Sequence, residues 1–206
     1  MKYSINNEEG EFEPGSENKV LKNKLGITSV QDMNDAEDDL LFQLYNHVFE
    51  PELSIDDLTF ETISTWHHKW LGNVYGWAGE LRTVNMSKGG FSFAGAVHLP
   101  KLVAQFEQDY LSKFNDLEDY SEKELVQFLA ASHVEFILIH PFREGNGRIS
   151  RLLMDVMATQ AGNGPLDYSL MEKHKDYYFK SIQAGVAEDY QPLERLLTDV
   201  LKQSNL

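Results

Sequence analysis

The chain has no cysteine among its 206 residues. That excludes disulfides, a thiolate nucleophile and cysteine-ligated zinc, and it suits a reducing, cytoplasmic setting. Long apolar runs are missing too, so no stretch reads as a membrane span. The acidic opening, Met1 to Gly15, lacks the basic and apolar regions of a secretory signal. Delivery into another cell by a route that reads no such signal is left open. Basic residues are scarce: 18 Lys and Arg face 33 Asp and Glu, for a formal charge of −15. A surface of that sign repels phosphate backbones, which argues against nucleic acid as a partner. With 42% hydrophobic and 25% charged residues, the chain is otherwise ordinary for one globular domain with a real core.

Against that acidic background, Arg143, Arg148 and Arg151 fall within one short stretch, His140-Pro141-Phe142-Arg143-Glu144-Gly145-Asn146-Gly147-Arg148-Ile149-Ser150-Arg151. An acidic chain that gathers guanidinium groups there is expected to hold a specific anion. Pro141 lacks an N–H and disfavours a helical His140, so the apolar helix running from Val126 to Ile139 should stop there. Gly145 and Gly147 permit a tight turn, and Arg148 opens a second apolar helix. Its N-terminus offers unpaired N–H groups and a positive potential. Asn146 can donate from its amide, Glu144 can hold a hard cation, and His140 can take a proton near neutral pH. Together these make a kit for phosphate chemistry. Taken singly, each residue also fits a plain helix–loop–helix turn.

The rest of the pattern is largely helical. Apolar residues recur at helical spacing over 35–49, 58–71, 99–114 and 122–140, and helices are expected near 175–184 and 193–202. Ser54 with Asp57 resembles a capping start for the helix that carries Trp66 and Trp70. His67 and His68 are neighbours facing different sides, a poor arrangement for metal ligation. His133, one heptad before His140, reads as a satisfied core or supporting histidine. Between Leu81 and Phe93 the period changes to alternation around Gly89-Gly90, which predicts a β-hairpin. Residues 1–30 read as an extended or mobile N-terminal segment and 31–206 as one catalytic domain. The expected fold is mostly α, a compact helical bundle with a small β-hairpin flap.

His140 to Arg151 resembles the Fic family motif HPFx(D/E)GNGRxxR at every defined position, and Tyr75 to Thr83 resembles the family's WAGE-RT segment. Residues from Asp176 to Leu193 resemble its closing helices. The resemblance implies a protein adenylyltransferase that moves AMP from ATP to a Tyr, Ser or Thr hydroxyl and releases pyrophosphate. It implies His140 as base, Glu144 as the Mg²⁺ ligand, and Asn146 with the amides around Gly145 and Gly147 as the α-phosphate cradle. Arg148 and Arg151 would hold the outer phosphates, Arg148 counting as catalytic with His140 and Asn146. It further implies Tyr177 at the adenine, and Lys88, Gly89, Gly90 and Phe91 at nucleotide or target, the target protein docking on the flap. No internal (S/T)xxxE(G/N) inhibitory motif is found: Ser4 and Glu8 are followed by Glu9 rather than Gly or Asn. The chain thus resembles the class restrained by a separate small antitoxin protein. Gly185 stands where some relatives supply an adenine-contacting asparagine. Transfer of another phosphate-linked group, and a non-catalytic nucleotide-binding interaction protein, are the alternatives. Homo-oligomerisation is left open.

Overall fold

The computed structural model describes residues 8–50, 55 and 57–204. Ser54, half of the expected capping start, lies outside them. The described chain forms eight α-helices and one two-stranded hairpin, the mostly helical bundle with a flap that the pattern predicts. The helices are α1 (Val30–Val48), α2 (Phe60–Leu71), α3 (Leu99–Asp109), α4 (Glu122–Ile139), α5 (Asn146–Gln160), α6 (Ser169–Lys173), α7 (Lys175–Ala184) and α8 (Gln191–Ser204). The strands are β1 (Ser87–Lys88) and β2 (Phe91–Ser92), antiparallel, with Ser87 opposite Ser92 and Lys88 opposite Phe91.

The bundle is built around α4, which packs against α3, α5, α7 and α8. Its sequence explains this position. Leu125, Val126, Leu129, Ala130, Val134, Phe136, Ile137 and Ile139 put apolar groups on most of its circumference, and all are buried. Each fully buried aliphatic side chain contributes about 1.5–3 kcal/mol relative to exposure. Ser121 and Glu124 close a reciprocal capping box at the start of α4. At its end His140 takes a left-handed conformation, φ 51°, immediately before Pro141.

Several boundaries differ from those the periodicity predicts. Helix α2 begins at Phe60, where Thr59 and Thr62 form a capping box; the local side-chain-to-backbone bonds at Thr59 set the start. The stretch expected to be helical through Phe114 leaves the α conformation after Asp109 and continues as a 3₁₀ run over Leu111–Asp119. Leu111, Phe114 and Leu117 are all buried there, at the three-residue spacing that a 3₁₀ helix aligns. Short α6 was not anticipated.

The hairpin turns at Gly89 and Gly90, whose φ values of 58° and 82° a two-residue turn of this hand demands. Its base is fastened by buried Arg82. The guanidinium donates to the carbonyls of His140, Val84 and Ala94 at 2.6 Å and of Ile139 at 3.2 Å. One side chain therefore joins the hairpin to the end of α4. Before α1 the described chain makes a 3₁₀ turn over Glu8–Gly10, doubles back on itself rather than running extended, and is tied to the same region. The Glu9 carboxylate accepts from the Thr83 amide at 2.9 Å, and Phe12 bridges to Leu21. Among the described residues, no helix is long and apolar enough to cross a membrane.

Candidate active site

The loop between α4 and α5 is locked from inside. Asn146 accepts from the Phe142 amide through Oδ1 at 2.9 Å and donates to the Phe142 carbonyl through Nδ2 at 2.7 Å. Both of its amide functions are thus bound to the loop backbone, and the residue is buried. Phe142 is fully buried with its ring stacked on His67, 4.0 Å between centroids. His67 accepts from the Gly79 amide at Nδ1 (2.8 Å), so its Nε2 carries the proton donated to the Glu144 carbonyl (3.0 Å). Burial pushes this imidazole down to about 4. His68 bonds through Nδ1 to the Ala78 carbonyl. The adjacent histidines brace two loops, and among the described residues no three acidic or histidine side chains cluster as a metal cage.

Gly145 precedes α5 with φ 79°, and a Cβ there would stand 2.6 Å from the Trp70 ring. Glycine is required both for the turn and for that approach. At Gly147, by contrast, a Cβ would meet nothing within 4 Å. The N-terminus of α5 therefore faces open space.

That space is a cavity of about 590 Å³ walled by the hairpin, the loop and α7. His140, Glu144, Gly145, Gly147, Arg148 and Arg151 line it together, with Lys88, Gly89 and Phe91 from the hairpin. His140 is half-buried; its Nδ1 donates to the Ile137 carbonyl at 3.2 Å, and its ring stacks on Phe93, 3.7 Å between centroids. The neutral ring therefore keeps its lone pair on Nε2. Burial, with Arg82 and Lys88 nearby, lowers the imidazole to about 4, so it is uncharged and able to accept a proton at neutral pH. Glu144 accepts from the Gly145 amide through one oxygen at 3.0 Å, and its side chain is 44% exposed.

The three arginines are not one cluster. Arg143 turns from the cavity and donates to the Glu9 carbonyl at 2.7 Å. Arg148 lies over the Trp70 ring and pairs with Glu37 of α1 at 2.5 Å; Arg151 pairs with exposed Glu172 at 3.0 Å. Glu37 is buried and also accepts from the Tyr75 hydroxyl at 2.8 Å. No local pattern marks it, because its partners are remote in sequence.

The far end of the cavity is lined by Tyr178, Phe179, Ile182 and Gln183 of α7. Tyr177 instead donates to the Pro192 carbonyl at 3.0 Å, and neither it nor Gly90 lines the cavity. Adjacent helix positions point about 100° apart, so Tyr177 and Tyr178 cannot share a face. Buried His133 bonds through Nε2 to the Tyr178 hydroxyl at 2.8 Å and supports that wall; its Nδ1 has no partner among the described residues.

The Fic/DOC family model matches residues 57–158. The protein adenylyltransferase Fic of Drosophila yakuba is 31% identical over 144 residues, which is 69% of this chain and 28% of that protein. The chain thus spans just over a quarter of the length of the curated relatives it matches. Among solved structures, BepC, a VirB-translocated effector of Bartonella tribocorum with bound AMPPNP, superposes with a TM-score of 0.78. The match is at 22% identity, over 95% of this chain and 98% of that one. The N-terminal Fic domain of a VirB-translocated Bep effector protein from Bartonella quintana with bound ADP gives a TM-score of 0.74 at 24% identity, covering 94% of each. These two likenesses establish the fold.

Proposed function

The chain belongs to the Fic/DOC family through residues 57–158, and from that premise we propose that it is a protein adenylyltransferase. It moves AMP from ATP to a Tyr, Ser or Thr hydroxyl of a target protein and releases pyrophosphate. The observation that carries this reading is the placement of His140. Its Nε2 lone pair is left free by the Nδ1–Ile137 bond, in the same cavity as the N-terminus of α5.

The hydroxyl proton passes to His140 Nε2 as its oxygen attacks the α-phosphorus; a new O–P bond forms and the bond to the pyrophosphate oxygen breaks. General base help of this kind is worth about 10²–10⁴-fold. The α-phosphate rests on the amides at the α5 N-terminus, where the helix potential and fixed N–H groups favour growing negative charge. The open space at Gly147 suits a close approach of phosphate. Asn146 serves by holding the loop that presents those amides. Arg148 and Arg151 take the outer phosphates, sharing or exchanging the carboxylates of Glu37 and Glu172. The adenine lies against Tyr178, Phe179 and Ile182, and Tyr177 holds α7 to Pro192.

Mg²⁺ fits Glu144: a partly exposed carboxylate on the cavity wall is a suitable lone protein ligand for an ion that keeps waters and phosphate oxygens. Held there by Glu144, the ion would supply charge neutralisation to the phosphates. The target backbone docks along the hairpin edge by strand pairing. A separate small antitoxin restrains the enzyme, which works in the cytoplasm of its own or a recipient cell. The test is ATP labelled at the α- or at the γ-phosphate, incubated with the chain, Mg²⁺ and lysate. The α-label enters protein and the γ-label does not; the reverse would mean phosphoryl transfer, and neither would mean no transfer.

A further inference from the structure

Phe93 stacks on the imidazole of His140 with 3.7 Å between ring centroids and 11° between planes. We propose that Phe93 is a positioning residue for His140, fixing the plane in which the imidazole presents Nε2 to the cavity and so making the hairpin part of the base.

Among the described residues the imidazole has one hydrogen bond, from Nδ1 to the Ile137 carbonyl at 3.2 Å. A single bond at one edge fixes a point and leaves the ring free to swing about it. A flat apolar face laid on the ring removes that swing. Phe93 can serve as such a face because it is itself held. Its amide donates to the Met86 carbonyl at 3.1 Å, extending the hairpin ladder, and the Phe91 ring meets it edge-on at 5.6 Å. The next residue is fastened to the helix that ends at the base: the Ala94 amide donates to the Leu138 carbonyl at 3.1 Å. Arg82 then ties the Ala94 carbonyl to the His140 carbonyl, both at 2.6 Å.

Simple gap-filling would not need this arrangement. Phe93 lines the cavity and is only partly buried, so bulk alone has little void to fill. Burial, with Arg82 and Lys88 on the hairpin side, sets the charge state of the ring without setting its plane, and Glu144, Arg148 and Arg151 face it across the cavity from the loop side. A target strand pairing with the β2 edge would bear on residues two positions or fewer from Phe93, so target docking there and base alignment would share one element.

This inference rests on His140 as the base, and its principal test does not require any transfer to occur. Nitrogen-15 spectra of the imidazole in the full chain at neutral pH report which ring nitrogen carries the proton. The wild type should show the Nδ1–H form alone, locked by Ile137. Phe93→Leu, which keeps bulk and loses the flat face, should show the two forms averaged. Phe93→Tyr should restore the wild-type signature. At saturating ATP, Phe93→Leu should transfer AMP at least about tenfold more slowly, because small misplacements of a reacting group are costly. Its ATP affinity should be unchanged. Phe93→Tyr should recover part of that rate. A folded Phe93→Leu protein whose His140 stays wholly in the Nδ1–H form would overturn the proposal, and so would a rate loss matched by Phe93→Tyr. If Phe93→Leu does not fold, Phe93→Met carries the same two readings. Absence of transfer in the wild type would count against the adenylyltransferase reading and leave the spectral result standing.

Discussion

Glu37 and Arg148 lie 111 positions apart and meet at 2.5 Å, with the carboxylate side chain only 4% exposed. The other oxygen of Glu37 accepts from Tyr75, and its backbone carbonyl accepts from the Trp70 indole at 2.8 Å. Arg148 lies over that same indole, 4.6 Å from the ring centroid. Helices α1, α2 and α5 thus share one polar joint at the cavity wall.

Glu37→Ala should lower stability by about 1–3 kcal/mol, because it strands the Tyr75 hydroxyl and removes the shortest ion pair of Arg148, leaving it Asp38 at 3.5 Å and Glu144 at 4.0 Å. Arg148→Ala should cost a comparable amount. The double variant should cost less than the sum by about 1 kcal/mol or more. Denaturant melts of the four proteins check this. Additive losses would mean that the two side chains do not interact in solution.

Gly145→Ala should cost more than its single methyl suggests. The residue would sit at φ 79°, a left-handed conformation, with its Cβ 2.6 Å from Trp70. A strained backbone position costs about 1–3 kcal/mol before the clash is counted. A lower melting temperature and weaker ATP binding are expected, measured by calorimetry. Gly147→Ala, with open space around its Cβ, should keep the melting temperature and lose ATP affinity alone.

Acid should destabilise the fold ahead of general unfolding. His67, His133 and His140 are each lowered to about 4 by burial, so the folded chain keeps them neutral while the unfolded chain protonates them near 6.5. The unfolded state then binds more protons between those values, and stability falls as pH drops through that window. Each histidine should contribute on the order of 2 kcal/mol between about pH 7 and about pH 5. Glu135 and Asp155, raised by burial, work in the opposite direction. Urea midpoints measured across the window should decline. A flat profile would mean that the three rings are hydrated in solution.

Much of this arrangement was legible in sequence, and the reason is local. Pro141 and Gly145 impose backbone conformations that end α4 and begin α5, so the break and the restart follow from the residues themselves; Gly147, expected in the turn, lies inside α5, which starts at Asn146 rather than Arg148. Gly89-Gly90 likewise announces the hairpin. What escaped was settled by distance. Glu37 meets Arg148, and Glu172 meets Arg151, only after folding. The His140–Phe93 stack and the spread of Arg82 over four carbonyls are also tertiary. The loop residues could be named as a set, yet that both ends of the Asn146 amide were already bound to the loop backbone could not. Tyr177 and Tyr178 were indistinguishable until α7 had a rotation about its axis. Residues Leu111–Asp119 left the α-helix because a three-residue apolar spacing competes with a four-residue one, and packing decided.

Glu144→Gln should weaken Mg²⁺ dependence more than nucleotide binding. The amide keeps an acceptor for the Gly145 N–H and loses the charge that a hard cation requires. Calorimetric titration of ATP with and without Mg²⁺ should show the metal's gain in affinity shrink in the variant. An undiminished gain would place the cation elsewhere.

The most direct measurement compares wild type with His140→Ala under identical ATP and Mg²⁺, reading AMP attached to lysate protein by mass spectrometry and ATP affinity by calorimetry. The base assignment predicts at least a hundredfold loss of transfer, about the lower bound for a positioned general base, with ATP affinity retained. Equal transfer by the two proteins would contradict it.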